Sequence, residues 1–231
     1  MSTQIQIDKG SQTAKNGFKM EAEVIERFNN WKNDLFAKKV PNRQKSDVQV
    51  LVTVFIKGLD KGQNISVKLV SNTSGFNQID RGWVKKYSEL WCIPQLIEEL
   101  LKLFVGEQSP RITNPRDNRR MFLDEFTDIE QQLILEFFEK NRLLILSDII
   151  KGRGAFAAEW MLVVQKTDNQ IKWTLKSINE VLNIFNQGEV KITTQGSLRI
   201  GKVGLQRKGG DGGRSSANQM QFKIDPTEIS K

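Results

Sequence analysis

Residues 47–57, DVQVLVTVFIK, alternate with a period of two: Val48, Val50, Val52, Val54 and Ile56 fall on one face, and Asp47, Gln49, Leu51, Thr53 and Phe55 on the other. That alternation, rich in β-branched residues, predicts a strand. The turn-like GLDKG of residues 58–62 leads into a second β-rich run, Ile65 to Ser71, so the two runs predict antiparallel neighbours. Upstream, Phe18, Ala22, Ile25, Phe28, Trp31 and Leu35 recur at helical spacing and predict a helix over 18–36, stopped before Pro41. Downstream, the pattern predicts helices near 79–91, 94–105, 127–140, 142–151 and 177–186. Strands are predicted near 157–166, 171–175, 189–193, 197–206 and 217–224, with a loop over 106–120. Strands interleaved with helices predict an α/β fold, one central mixed β-sheet flanked by helices, in a single domain of residues 1–231.

Composition narrows the chemistry. The 231 residues include 35 Lys+Arg against 27 Asp+Glu, a net charge of +8, no histidine and one cysteine, Cys92. Without imidazole there is no Ser-His-Asp or Cys-His catalytic set and no His-ligated zinc. A lone thiol excludes Cys-rich metal clusters and internal disulfides. What remains is carboxylates, amides, hydroxyls, Lys and Arg, the donors and electrostatic partners of a hard cation such as Mg²⁺. The N-terminal residues carry no apolar signal core and no apolar run is long enough to cross a bilayer, which predicts a cytoplasmic protein. The basic balance fits a polyanion partner and equally fits an ordinary basic surface.

One cluster has the makings of a site. Ser66 and Lys68, two apart on the second strand, share a face, and Asp47 opens the neighbouring strand. One reading is an ion pair at the rim of the sheet. The other is a phosphodiesterase site: Asp47 binds Mg²⁺, Ser66 and the Val67 carbonyl add oxygen ligands, and Lys68 steadies the attacking water or the phosphorane charge. Glu21 places a carboxylate on the apolar stripe of the first helix, where it needs a partner; a metal, Lys68 or a structural salt bridge would each satisfy it.

Ser46-Asp47, the run Ser66-Val67-Lys68-Leu69-Val70-Ser71-Asn72 and Gly75-Phe76-Asn77-Gln78-Ile79-Asp80 closely resemble the HinP-type type II restriction endonucleases of the PD-(D/E)xK nuclease superfamily. Asn16-Gly17-Phe18 with Glu21, Arg119-Arg120-Met121-Phe122, Gly152-Arg153-Gly154 with Phe156-Ala157-Ala158-Glu159-Trp160, and Gln206-Arg207-Lys208-Gly209-Gly210-Asp211 with Gln221-Phe222-Lys223-Ile224-Asp225-Pro226 are similar too, and in the same order. The resemblance runs from about residue 9 to residue 228. It implies the PD-(D/E)xK core, with the catalytic hairpin at about 46–72. It also implies Mg²⁺-dependent cleavage of both strands of double-stranded DNA at a short palindrome, GCGC in the HinP type, leaving 5′-phosphate and 3′-hydroxyl ends, and a cellular methyltransferase of matching specificity. Monomer and homodimer both fit as the active unit. One departure stands out: the slot two before the active-site Lys, usually Gln or an acid, holds Ser66. That departure motivates a rival, a catalytically weak DNA-binding protein on the nuclease scaffold. A nicking or repair nuclease is another.

Two segments, about 73–83 and 197–225, are candidate DNA readers. Phe76, on a polar loop after the catalytic strand, reads either as a core plug or, by the family's use of its matching Phe, as a wedge between base steps. Gln78 takes a recognition role, and its neighbour Asn77 likewise offers both donor and acceptor. Residues 194–231 hold seven Lys+Arg against three Asp+Glu. Within them Arg207 is the candidate for a bidentate guanine contact, and Lys208, Arg214 and Lys223 for phosphates. Arg111, Arg116, Arg119 and Arg120 fit a backbone clamp or a solvated surface equally.

Overall fold

A computed structural model describes residues 2–31, 35–40, 47–54, 59–70, 76–167, 170–210 and 213–231. The chain divides into two compact units, neither continuous in sequence: Met1–Gly75, Ile150–Asn183 and Pro226–Lys231 form the first, Phe76–Ile149 and Ile184–Asp225 the second. The fold is α/β, as the order of elements predicted. It contains two five-stranded sheets where the sequence reading expected one.

In the first unit, helix α1 (Ser2–Trp31) lies against a sheet ordered β1-β2-β3-β5-β6, with β1 at Leu35–Lys39, β2 at Val48–Val54, β3 at Leu59–Val70, β5 at Trp160–Thr167 and β6 at Gln170–Ser177. The strands run antiparallel except β3 and β5, which pair in parallel. Alternation along β3 splits its side chains. Ile65, Val67 and Leu69 pack with Met20, Val24, Leu162 and Val164, while Asn64, Ser66 and Lys68 take the opposite parity. The helix buries Met20 and Val24, and Phe18 of the expected stripe is exposed. Two expectations fail here. Leu35, read as the tail of the helix, opens β1, and residues 59–62, read as a turn, are strand paired to β2.

The second unit is built on an antiparallel sheet ordered β4-β10-β9-β8-β7: β4 at Asn77–Gly82, β7 at Val190–Ile192, β8 at Leu198–Ile200, β9 at Val203–Arg207 and β10 at Met220–Ile224. Helices α2 (Val84–Trp91), α3 (Gln95–Val105), α4 (Asp128–Lys140) and α5 (Arg142–Ile150) come from the long insertion between β4 and β5; α6 (Ile178–Phe185) follows β6, and all but its last two residues belong to the first unit. A capping box of Thr127 and Glu130 starts α4. Tyr87 stacks on Trp91 at 4.7 Å and Phe222 meets both edge-on, so the core face of β10 carries Met220, Phe222 and Ile224, all buried. The opposite face carries Gln221 and Lys223. Residues 79–82, where the pattern predicts the start of a helix, are strand instead, paired with β10 as part of β4.

Candidate active site and DNA-reading face

The catalytic candidates meet at the junction of β2 and β3. Asp47 precedes β2, and its N–H donates to the Ile65 carbonyl at 2.9 Å, which extends the ladder by one rung. Its side chain then turns back over β3: Oδ2 accepts the Val67 N–H at 2.6 Å and the Ser66 hydroxyl at 3.4 Å, and Lys68 Nζ stands 3.9 Å away. Lys68 has no other partner among the described residues. At that distance the ammonium keeps all its hydrogens unspent, and a loose, half-buried ion pair stabilises a fold by only about 0–1 kcal/mol. Stability alone gives little reason for this pair.

Asn64, one alternation before Ser66, anchors the strand. Its buried amide donates to the Ala155 and Ala157 carbonyls at 2.8 and 3.0 Å, and its N–H reaches Glu159 Oε2 at 3.1 Å. These bonds tie β3 to the approach to β5 and so fix where Ser66 and Lys68 emerge. Glu21 finds its partner in Lys39 at 2.9 Å, the structural salt bridge among the alternatives, and neither Lys68 nor Asp47 contacts it.

The oxygens on offer are the Asp47 carboxylate and the Ser66 hydroxyl, 3.4 Å apart, together with the backbone carbonyl of Val67, the residue whose N–H binds Asp47. All are hard oxygens, and Mg²⁺ commonly binds through one or two carboxylates with waters completing its shell, so the set fits a hard divalent cation. No group of three or more Asp, Glu, Cys or His side chains that could hold a metal occurs among the described residues. Ser46 lies outside them.

On the second unit, the register of β4 against β10 slips by one residue between Phe222 and Lys223, so Lys223 faces Gln78. Without that bulge Gln78 would oppose Ile224 on the core side; with it, Gln78 joins Gln221 and Lys223 on the polar face. The groove on this face, about 410 Å³, is lined by Phe76, Arg199, Gln206 and Lys223 among others. Phe76 is 57% exposed, which rules out the core plug. Burial holds the Lys223 ammonium pKa below its ordinary value. No carboxylate among the described residues pairs with it, so the groove presents a desolvated cation in want of an anion.

Arg207 has the other parity on β9. Its Nε and Nη2 donate to Asn218 Oδ1 at 3.3 and 2.7 Å, and Asn218 Nδ2 donates to the Gly106 carbonyl at 2.6 Å. Burial, then the nearby Arg119 cation, lowers the guanidinium pKa. The four loop arginines are all engaged: Arg111 with Glu130, Arg116 with Asp124, Arg119 with Asp117 at 2.8 Å, and Arg120 with Asp117 at 3.7 Å. Lys208 is half-buried, Asn77 is half-buried and Arg214 is exposed. Residues 71–75 and Asp211 lie outside the described set.

A family model, R.HinP1I restriction endonuclease, matches residues 36–230. The chain belongs to this family. The resemblance carried by its motifs thus holds over most of its length, and the protein is a type II restriction endonuclease, a site-specific deoxyribonuclease. Its fold is similar to that of the restriction endonuclease MspI, solved in complex with its cognate DNA, with a TM-score of 0.58 at 16% identity over 82% of this chain and 70% of that one. No curated protein matches the chain. No described helix of the endonuclease is long and apolar enough to cross a membrane.

The site residues read from spacing thus separate into Asp47, Ser66 and Lys68, which meet, and Glu21, which pairs with Lys39. Sequence reasoning missed Asn64, Asn218, Gln206 and Gln221. A single amide carries no local signal, and these four acquire partners only through packing across the sheet or onto distant loops.

Proposed function

We propose that the endonuclease hydrolyses double-stranded DNA in a Mg²⁺-dependent reaction at a short palindrome, GCGC, leaving 5′-phosphate and 3′-hydroxyl ends. A methyltransferase of the same specificity would protect the host DNA. The observation that carries the reading is the meeting of Ser66, Lys68 and the Val67 N–H around one Asp47 carboxylate on adjacent strands. Both units would serve a single cleavage reaction.

Asp47, the Ser66 hydroxyl and the Val67 carbonyl would hold Mg²⁺, which supplies the positive charge that offsets charge developing at the scissile phosphate. The Val67 N–H and Ser66 Oγ fix the orientation of the Asp47 carboxylate. Lys68, with its hydrogens unspent, would orient the attacking water in line with the leaving 3′ oxygen and stabilise the negative charge of the transition state. Ser66 supports this chemistry with a neutral oxygen, as the family's usual Gln does, from a shorter side chain.

On the second unit, Phe76 would wedge between base steps with Gln78 beside it at a base edge, and Lys223 would take a phosphate in the groove that Phe76 shares, whereas Asn77 opposes Ile224 of the core face and is the weaker candidate for a base contact. Arg207 would present its remaining Nη1–Nη2 edge to guanine O6 and N7. Lys208 and the exposed Arg214 would meet phosphates. Purified Asp47→Ala and Lys68→Ala proteins test the catalytic assignment. Each should lose cleavage by at least about 10²-fold while retaining specific DNA binding. Wild-type cutting by either would refute it.

A further inference from the structure

Three glutamines on the polar face of the second sheet form a relay whose direction is set by the backbone. Gln206 Nε2 lies 3.4 Å from its neighbour's carbonyl, that of Arg207, and 3.3 Å from Gln221 Oε1. A carbonyl can only accept, so Gln206 must present its nitrogen there and Gln221 must receive with its oxygen. Gln221 is 8% exposed and packed directly opposite Gln206. Its Nε2 therefore points to Gln78, whose Oε1 accepts at 2.7 Å. The relay leaves Gln78 Nε2 as its free end, with no partner among the described residues.

We propose that Gln221 is a positioning residue that fixes Gln78 as a hydrogen-bond donor, so that the base Gln78 prefers is guanine over adenine. The inference rests on the reading of Gln78 as a base contact. A free glutamine amide suits adenine, giving its N–H to N7 and taking the N6 proton on its oxygen. With that oxygen turned inward to Gln221, the outward end of the amide is its NH₂, so the adenine amino group would meet a donor where it needs an acceptor, whereas guanine offers N7 and O6 to the outward NH₂. Cytosine meets it with N4 donors and is rejected. The orientation costs nothing at the moment of binding, because it is already built into the sheet.

The test is a competition experiment on duplexes that differ from the preferred site by one base pair, with full-length enzyme and Mg²⁺. It reads the ratio of kcat/KM for G against A at each position, so that the active fraction of each preparation cancels. Gln78→Ala identifies the position read, by lowering the G:A ratio there. Gln221→Leu should lower that same ratio about tenfold and leave other positions unchanged. Gln221→Glu has a side chain that only accepts; it should draw the Gln78 nitrogen inward, turn its oxygen outward and move preference toward bases with an amino group. Gln206→Met, one step upstream and half-buried, should lower the ratio at the same position and provides a second route if the buried substitutions fail to fold. A uniform drop in rate, with the G:A ratio unchanged at the position where Gln78→Ala alters it, overturns the relay and leaves Gln78 as a reader. If Gln78→Ala alters no ratio at any position, the base-contact reading itself falls, and the relay with it.

Discussion

Replacing Phe76 by alanine separates a residue that deforms DNA from one that holds the protein together. Because 57% of the residue's surface is already in water, less than half of the ~1.5–3 kcal/mol gained by fully burying a phenylalanine is at stake, about 1 kcal/mol. No closed cavity forms either, since the ring borders an open groove. A core phenylalanine would cost about 3–5 kcal/mol, so thermal unfolding of Phe76→Ala should show a shift of only a few degrees. On DNA the loss should be larger. A ring inserted between base steps offsets an unstacking cost of a few kcal/mol through the contacts a bent duplex permits, and stacking on one aromatic contributes about 1–3 kcal/mol. Gel-shift or fluorescence measurements of the bend, on the same preparation used for unfolding, should find a straighter complex with affinity lower by about 10- to 100-fold. A stability loss above about 3 kcal/mol with an unchanged bend would refute the wedge.

Further expectations concern the groups around each site. Ser66→Ala should leave cleavage intact but raise the Mg²⁺ concentration at half-maximal rate, read from a metal titration; complete loss of activity would make the hydroxyl more than one neutral ligand among several. Arg207→Ala should lose ~1–3 kcal/mol of discrimination at one base position, seen in cleavage of single-substitution sites, whereas equal weakening on all sequences would make Arg207 a phosphate contact. The Arg119 hydrogen bond lowers the pKa of Asp117. Its folded value lies below its unfolded one, so its stabilising contribution is present above the ordinary aspartate range and is lost as pH falls through the depressed value. Urea unfolding of Asp117→Asn across the acid range should therefore show a flatter pH dependence than wild type. The same substitution should steepen the salt dependence of DNA binding as Arg119 and Arg120 lose their counter-charge.

The parts of the fold that rest on local order were legible in the sequence. Strand β2 announces itself by strict alternation of β-branched residues, and the spacing from Asp47 to Ser66 and Lys68 survives into a common corner because the two strands are adjacent in the ladder. What depends on distant pairing was not legible. Residues 77–82 run into the helical pattern of α2 and form a strand only because β10, some 140 residues later, supplies the partner ladder. The glycine and aspartate of 59–62 look like a turn, but pairing with Leu51–Val54 overrides their weak strand propensity. Phe18 has helical spacing with Ile25, but Met20 and Val24 face the sheet because their side chains fill the gap over Ile65 and Leu162. Gln221 is the extreme case. In the sequence it is one amide among many, and only the bulge at Lys223 brings Gln78 within 2.7 Å of it.

The most direct measurement of the central claim is digestion of a plasmid of known sequence by the purified enzyme with and without Mg²⁺, followed by run-off sequencing and end-group analysis, with Asp47→Ala run in parallel. The account predicts cuts on both strands within one palindromic tetranucleotide, GCGC, with 5′-phosphate ends, only when Mg²⁺ is present and only with Asp47 intact. Cleavage that ignores sequence, proceeds without a divalent cation or persists in Asp47→Ala would contradict it.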